Sequence, residues 1–324
     1  MMHRGRCLLL CWMIALLVLL SGSAWAQTCS GNITNINFGN IDVTANTAFN
    51  ATGTYSISCL AILSGVRTCP NINAGTGGGS GTGDPRYMTN GTNQLRFNLY
   101  SDPGHVTVWG SRLWAHTAPA TDITLVILGE GSASRTIYAQ IPAGQQTLPP
   151  GTYTSSFAGG QTAVTYAGYL LSLPLLAPSC STLANPSLTM PFTVSVTIDP
   201  HCGVTATTLD FGATGVLNSA VNGSNTLFVT CSATTPYSIS LNGGLAGATD
   251  PTQRRMSKGL EAVTYGLYRD SMRTLPWGDI IGSNTVAGVG TGLVQSYTVY
   301  GRVPPQATPS PGTYSDTVVV TVTY

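Results

Sequence analysis

Charge is scarce in this chain. Only 8% of its 324 residues are Asp, Glu, Lys or Arg, and Lys258 is the single lysine. A protein that binds a polyanion displays a basic patch, and none is visible, so nucleic acid is not expected as a partner. Histidine is almost as rare. His105, His116 and His201 follow the leader, with no GxSxG nucleophile motif to serve, so no catalytic site and no cofactor are expected. CxxC is absent and no histidine stands at ligand spacing, which argues against zinc. Helix-period patterning longer than a turn or two is missing as well. Beyond residue 26 no apolar run is long enough to cross a bilayer.

What is present begins with the leader. Arg4 and Arg6 precede "CLLLCWMIALLVLL" and "SGSAWAQ", in which Ala24 and Ala26 form a small-x-small site. That is the pattern of a secretory signal peptide over 1–26, and the expectation is an exported chain. The 13 Lys+Arg and 12 Asp+Glu residues become a slight acidic excess once Arg4 and Arg6 leave. Low charge combined with abundant Thr, Val, Tyr and Gly reads as an all-β exported protein. Cys29, Cys59, Cys69, Cys180, Cys202 and Cys231 remain after the leader, an even number that suits disulfides in an oxidising compartment.

The chain contains itself twice. With Cys29 laid on Cys202, "INFGNI" meets "LDFGAT", and Phe38 and Phe211 each fall nine residues on. "TYSISC" ending at Cys59 meets "LFVTC" ending at Cys231. "LRFNLYSDPGHVTVWG" meets "VTYGLYRDSMRTLPWG", "TIYAQIP" meets "TVYGRVP", and "PGTY" at 150–153 meets "PGTY" at 311–314. A match of that length is a duplicated domain. "TLFVTC", "YTVYGRV" and "TVVVTVTY" are period-2 strands broken by Gly, Pro, Asn and Asp, so each copy reads as a β-sandwich. The matched cysteines pair most simply within each copy, Cys29 with Cys59 and Cys202 with Cys231. Each closes a loop worth about 3 kcal/mol. Cys69 and Cys180 lack counterparts and are expected to bridge loops special to copy one.

One strand is not shared. "PFTVSVTIDPHC" precedes Cys202, with Phe192, Val194, Val196 and Ile198 alternating against polar neighbours to give one wholly apolar face. Only Gln27 and Thr28 stand between the leader and Cys29. Copy one also carries extra segments. "WGSRLWAHTAPATDITLVILGEG" brings Trp114, Leu125, Val126, Ile127 and Leu128, and "YLLSLPLLAPSC" brings Leu171, Leu173, Leu175 and Leu176. Exposed apolar loops mark interaction sites, while the plainer reading places these side chains in a core. The glycine-rich "NAGTGGGSGTGDP" (73–85) has no following Lys-Ser/Thr and reads as a flexible surface loop rather than a phosphate cradle.

The Cys-x8-Phe-Gly opening, the YxD…WG middle and the PGTY-x-Asp ending followed by alternating valines resemble the spore coat protein U domain. This is the pilin module of archaic (Csu-type) chaperone–usher pili, and the resemblance covers nearly the whole chain after the leader, in two copies. It implies immunoglobulin-like sandwiches in tandem, at 27–190 and 191–324, the second lacking a strand that another subunit donates. A periplasmic chaperone, an outer-membrane usher and the next pilin subunit are the implied partners, with the surface or host ligand unidentified. On this reading strand 191–199 is used inside the chain to complete the first domain. Val318, Val320, Val322 and Tyr324 form the strand offered to chaperone or donor. Four buried apolar side chains at roughly 1.5–3 kcal/mol each are worth about 6–12 kcal/mol, comparable to a whole domain's stability of about 5–15 kcal/mol. With no leading strand of its own to donate, the chain is expected to be a fibre's tip adhesin that mediates attachment and biofilm formation. A self-contained coat protein and a glycan-binding, lectin-like tip are the alternatives.

Overall fold

The computed structural model describes residues 27–61, 65–125, 129–170 and 177–324. The leader and Val126, Ile127, Leu128, Leu171, Leu173, Leu175 and Leu176 lie outside the described residues.

Among the described residues, alternating β-branched and polar residues build twelve strands up to residue 198. They are β1 (Thr28–Ile33), β2 (Ile36–Ile41), β3 (Phe49–Ala61), β4 (Gly65–Ile72), β5 (Arg86–Asn90) and β6 (Asn93–Tyr100), then β7 (Thr121–Thr124), β8 (Gly129–Ile141), β9 (Gly151–Phe157), β10 (Thr162–Tyr169), β11 (Ser187–Thr189) and β12 (Phe192–Ile198). Eight more follow: β13 (Cys202–Ala206), β14 (Val221–Cys231), β15 (Pro236–Leu241), β16 (Arg254–Lys258), β17 (Glu261–Tyr268), β18 (Val286–Val289), β19 (Val294–Val303) and β20 (Val320–Thr323). These strands make four sheets, two per sandwich, and sheet membership changes between Ile198 and Cys202.

The first sandwich faces an eight-stranded sheet, ordered β1-β3-β8-β6-β5-β9-β12-β2, against a four-stranded one, β11-β10-β4-β7. The second runs β13-β14-β19-β17-β16 against β18-β15-β20. Superposed through the sequence repeat, the second large sheet reproduces β1-β3-β8-β6-β5 and stops. Counterparts of β9, β12 and β2 are missing from its ladder, and β11 is missing from the smaller sheet.

Within each sandwich the two sheets share an apolar core, and both cores are pinned by the same pair of residues. Trp109 and Trp277 are almost completely buried, and their indole N–H groups donate to Pro70 O and Ile239 O at 2.8 and 3.0 Å. Beside them lie Arg86 and Arg254, each 0% exposed. Arg86 donates to Ile72 O, Asn73 O and Trp109 O; Arg254 donates to Leu241 O, Asn242 O and Trp277 O. A buried guanidinium must satisfy its donors, and here backbone carbonyls at a sheet end do so. Burial pushes Arg86 down to about 9, still protonated at neutral pH.

The repeated PGTY is a tyrosine corner. Tyr153 donates to Pro149 O at 2.9 Å and Tyr314 to Ser310 O at 2.8 Å, each reaching back four residues to fix the chain's entry to a strand. The glycine before each corner has positive φ, 139° at Gly151 and 154° at Gly312, which side-chain-bearing residues rarely adopt.

Disulfides join Cys29 to Cys59, Cys69 to Cys180 and Cys202 to Cys231. The first and third tie directly opposed residues on paired strands, β1 to β3 and β13 to β14. The second anchors the segment after β10 to β4.

Candidate interaction site: a filled slot and an empty groove

Strand β12 occupies a slot in the first sandwich. Its backbone runs antiparallel to β9, with Phe192 opposite Phe157, Val194 opposite Ser155 and Val196 opposite Tyr153. On its other side it runs parallel to β2, Val194 beside Ile36 and Ile198 beside Ile41. Phe192, Val194, Val196 and Ile198 are 3, 0, 0 and 1% exposed, and the Phe192 ring stacks on Phe157 at 4.5 Å. Just upstream, β11 pairs with β10 in the opposite sheet, so one segment crosses from one sheet edge to the other.

The corresponding place in the second sandwich is open. Two adjoining clefts, about 480 and 780 Å³, run between segment 206–217 and segment 308–320. Their walls are the repeat counterparts of β2 and β9. Residues 209–214 match β2 but form no strand, and residues 312–318 match β9 but make only the isolated bridge of Ser315 with Ser257. The physical cause is direct. β2 and β9 owe ladder hydrogen bonds to β12, and without a strand between them their counterparts have no partner to bond.

Side-chain burial follows the same division. Ile36, Met88, Tyr153 and Phe157 are each 0% exposed, whereas the matching Leu209, Met256, Tyr314 and Val318 are only half-buried along the groove. At the rim, Asp316 accepts from Tyr265 Oη at 2.7 Å and from the Leu245 amide at 2.8 Å. Burial, and then the adjoining carboxylate, push the Tyr265 hydroxyl far above its ordinary value, so it stays a donor.

The sequence-derived residues fall in different places. Val318 and Val320 both border the groove; Val320 begins β20, which runs on through Val322, pairs with β15 in the smaller sheet and leaves its other edge free. Tyr324 is 57% exposed and lies by a separate cleft with Pro150 and Pro200, between the sandwiches. The rim that faces the groove therefore begins earlier than the terminal valines, at Tyr314, and runs through Val318 to Val320. Leu125 is not part of an exposed loop: it is 4% exposed and belongs to the first core. Trp114 is half-buried and stacks over the Arg86 guanidinium at 4.3 Å, closing the core's edge. The glycine segment before β5 is packed in part: a Cβ at Gly77 would strike the Tyr87 carbonyl, while Gly78 and Gly81 face open space. Asp102 and Asp270 are turn residues, and each accepts backbone amides of its own loop.

The buried arginines escaped sequence reasoning, although a signal exists: "RYM" and "RRM" stand at matching places before the YxD motif. Among the described residues no group of three or more His, Cys, Asp or Glu could hold a metal ion.

The spore coat protein U domain model matches residues 15–159 and 188–321, both copies of the repeat. The chain belongs to the spore coat protein U domain family. It is 32% identical over 176 residues to Protein U of Myxococcus xanthus, covering 51% of this chain and 98% of that protein. Two solved structures are similar to it at low identity. One is from the CsuC–CsuE chaperone–tip pre-assembly complex of Acinetobacter baumannii Csu pili, at 16% identity and TM-score 0.48, covering 92% of this chain and all of that one. The other is the CupB6 tip adhesin of Pseudomonas aeruginosa, at 11% identity and TM-score 0.39, covering 93% and 95%. Both spore coat U copies here are all-β, and they differ chiefly in whether the β12 position is occupied.

Proposed function

We propose that this protein is a two-sandwich subunit of a chaperone–usher fibre and stands at its distal end as an adhesin. The first sandwich is closed by the chain's own β12, and the second accepts a donor strand from the next subunit. The observation that carries this reading is the pairing of a filled slot with an empty groove at equivalent positions of one duplicated fold. An open groove lined by half-buried Leu209, Phe211, Met256 and Val318 is an aggregation hazard, so a periplasmic chaperone covers it until an outer-membrane usher exchanges the cover for a donor strand.

A distal position suits this arrangement, because β12, the strand that stands before the second sandwich, is spent inside the chain. Contact with a surface is assigned to the end of the first sandwich remote from the linker. There Ala61 pairs with Gly129 and Gly65 with Tyr169, and Leu60 and Leu170 are each 46% exposed. Attachment through such apolar contacts leads to biofilm.

Periplasmic expression with and without the cognate chaperone tests the reading. Solubility only as a one-to-one complex is the expected result. A stable monomer made unaided would refute it and favour a self-contained coat protein; saturable glycan binding would favour the lectin-like form.

A further inference from the structure

The junction between the two sandwiches shows how an acceptor of this fold meets the body of its donor. Only Asp199, Pro200 and His201 separate β12 from β13, so the donating domain abuts the accepting one. The Asp199 amide donates to Ile41 O at 3.1 Å, and side chains and a close glycine contact add to it. Asn40 Nδ2 donates to Asp199 Oδ2 at 2.7 Å, Asp42 lies 3.5 Å from His201 Nε2, and Gly292 packs so closely on Gln146 that a Cβ would strike its carbonyl. On the acceptor side these contacts come from two places: the end of β2 with the residue that follows it, and the loop between β8 and β9.

Both places have counterparts in the second sandwich. The loop equivalence rests on geometry as well as sequence. Gln145 exchanges hydrogen bonds with the Arg96 backbone and donates to Pro142 O, and Gln306 does the same with Thr264 and Pro304. Gln146 therefore corresponds to Ala307 and Pro150 to Pro311. The stretch after Phe38-Gly39 corresponds to that after Phe211-Gly212. Ala213, Thr214, Gly215, Val216, Ala307 and Pro311 are all exposed, Val216 at 63%, and most of them line the mouth of the larger cleft.

We propose that Ala213–Val216 and Ala307–Pro311 form the seat for the body of the subunit that donates its strand to the second sandwich. This rests on the donor-strand reading above and extends it from the groove to the donor's own domain. The occupant follows from continuity. Any strand running the groove as β12 runs its slot emerges at this mouth, and a linker as short as 199–201 leaves its parent domain nowhere else to sit. The seat differs from the internal junction in one respect. Asn40 and Asp42 have no polar counterparts in Ala213–Val216 apart from Thr214, and the ionisable groups at its border are engaged within the sandwich. Lys258 donates to Pro311 O, Glu261 accepts from Ser310, and Asp210 accepts from the Gly212 amide. Apolar and backbone contacts hold this joint, without the clamp that fixes the two sandwiches of this chain.

Photo-cross-linking in assembled fibres tests the seat. A benzoylphenylalanine is placed at Val216 or Ala307, at Thr317 on the outward side of the groove rim, and at Leu113 on the first sandwich as background. The expected result is adducts to one pilin, mapping to its donor strand from Thr317 and to its folded domain from Val216 and Ala307, with none above background from Leu113. Adducts from Thr317 alone overturn the seat and leave the donor-strand reading standing. No donor-strand adduct from Thr317 overturns that reading and the seat with it. Raising the salt concentration should leave the Val216 and Ala307 yields unchanged; a loss would mean that a charge clamp exists after all.

Discussion

Truncating β12 on its inward face isolates what that strand contributes to the first sandwich. Val194 and Val196 are both 0% exposed, between β9 and β2. Val→Ala removes two methyl groups, at about 0.8 kcal/mol per buried carbon plus a cavity cost, or roughly 2 kcal/mol per site. The two sites share one face and one potential cavity, so about 4 kcal/mol for Val194→Ala/Val196→Ala is a sum that coupling can alter. For a domain of this size about 1 kcal/mol shifts Tm by roughly 2–4 °C, giving a fall of roughly 8–16 °C. The matched control is Thr193→Ala/Ser195→Ala on the outward face, expected within about 0.5 kcal/mol of the parent. Scanning calorimetry of the chaperone-bound chain should show the first sandwich's transition lowered and the second sandwich's left in place. Equal shifts from the inward and outward pairs, or a shift of both transitions together, would refute the reasoning.

Further outcomes follow from the same geometry. Arg254→Met should destabilise the second sandwich by about 2–5 kcal/mol, because the Leu241, Asn242 and Trp277 carbonyls lose a shared buried donor; chemical denaturation reads this directly, and a neutral result would mean water replaces the guanidinium. Tyr314→Phe should cost about 0.5–1.5 kcal/mol through the lost bond to Ser310 O, measured by the same denaturation. The Arg67 guanidinium holds the Asp122 carboxyl below its ordinary range, and the pair is 23 and 42% exposed, so it stabilises by less than about 1 kcal/mol. A depressed carboxylate contributes above its unfolded pKa and stops contributing as pH falls through its folded one. Asp122→Asn should therefore lower Tm at pH 7 and match the parent at pH 2; a difference that persists in acid would exclude the ion pair as its cause.

Much of the fold is written locally. Cys29 with Cys59 and Cys202 with Cys231 recur at matching positions, and period-2 alternation marks Phe192–Ile198 as a strand with one apolar face, because side chains alternate along any extended chain. Packing is not local, so other features were hidden. Leu125 and Trp114 look like loop residues, yet one fills the core and the other seals Arg86. The terminal valines advertise a strand but cannot say which edge of which sheet it borders; β20 joins β15, and the groove rim reaches from Tyr314 to Val320.

The sequence by itself determined the all-β class, the duplication and the family, since each depends on spacing and alternation along one chain. The sequence, through the family it resembles, raised the expectation that the two copies differ in state, and only the tertiary structure shows where β12 lies. Whether a strand lies between the β2-like and β9-like segments is a matter of which distant residues meet. β12 fills that place once, in the first sandwich, and one segment cannot form the same ladders in both.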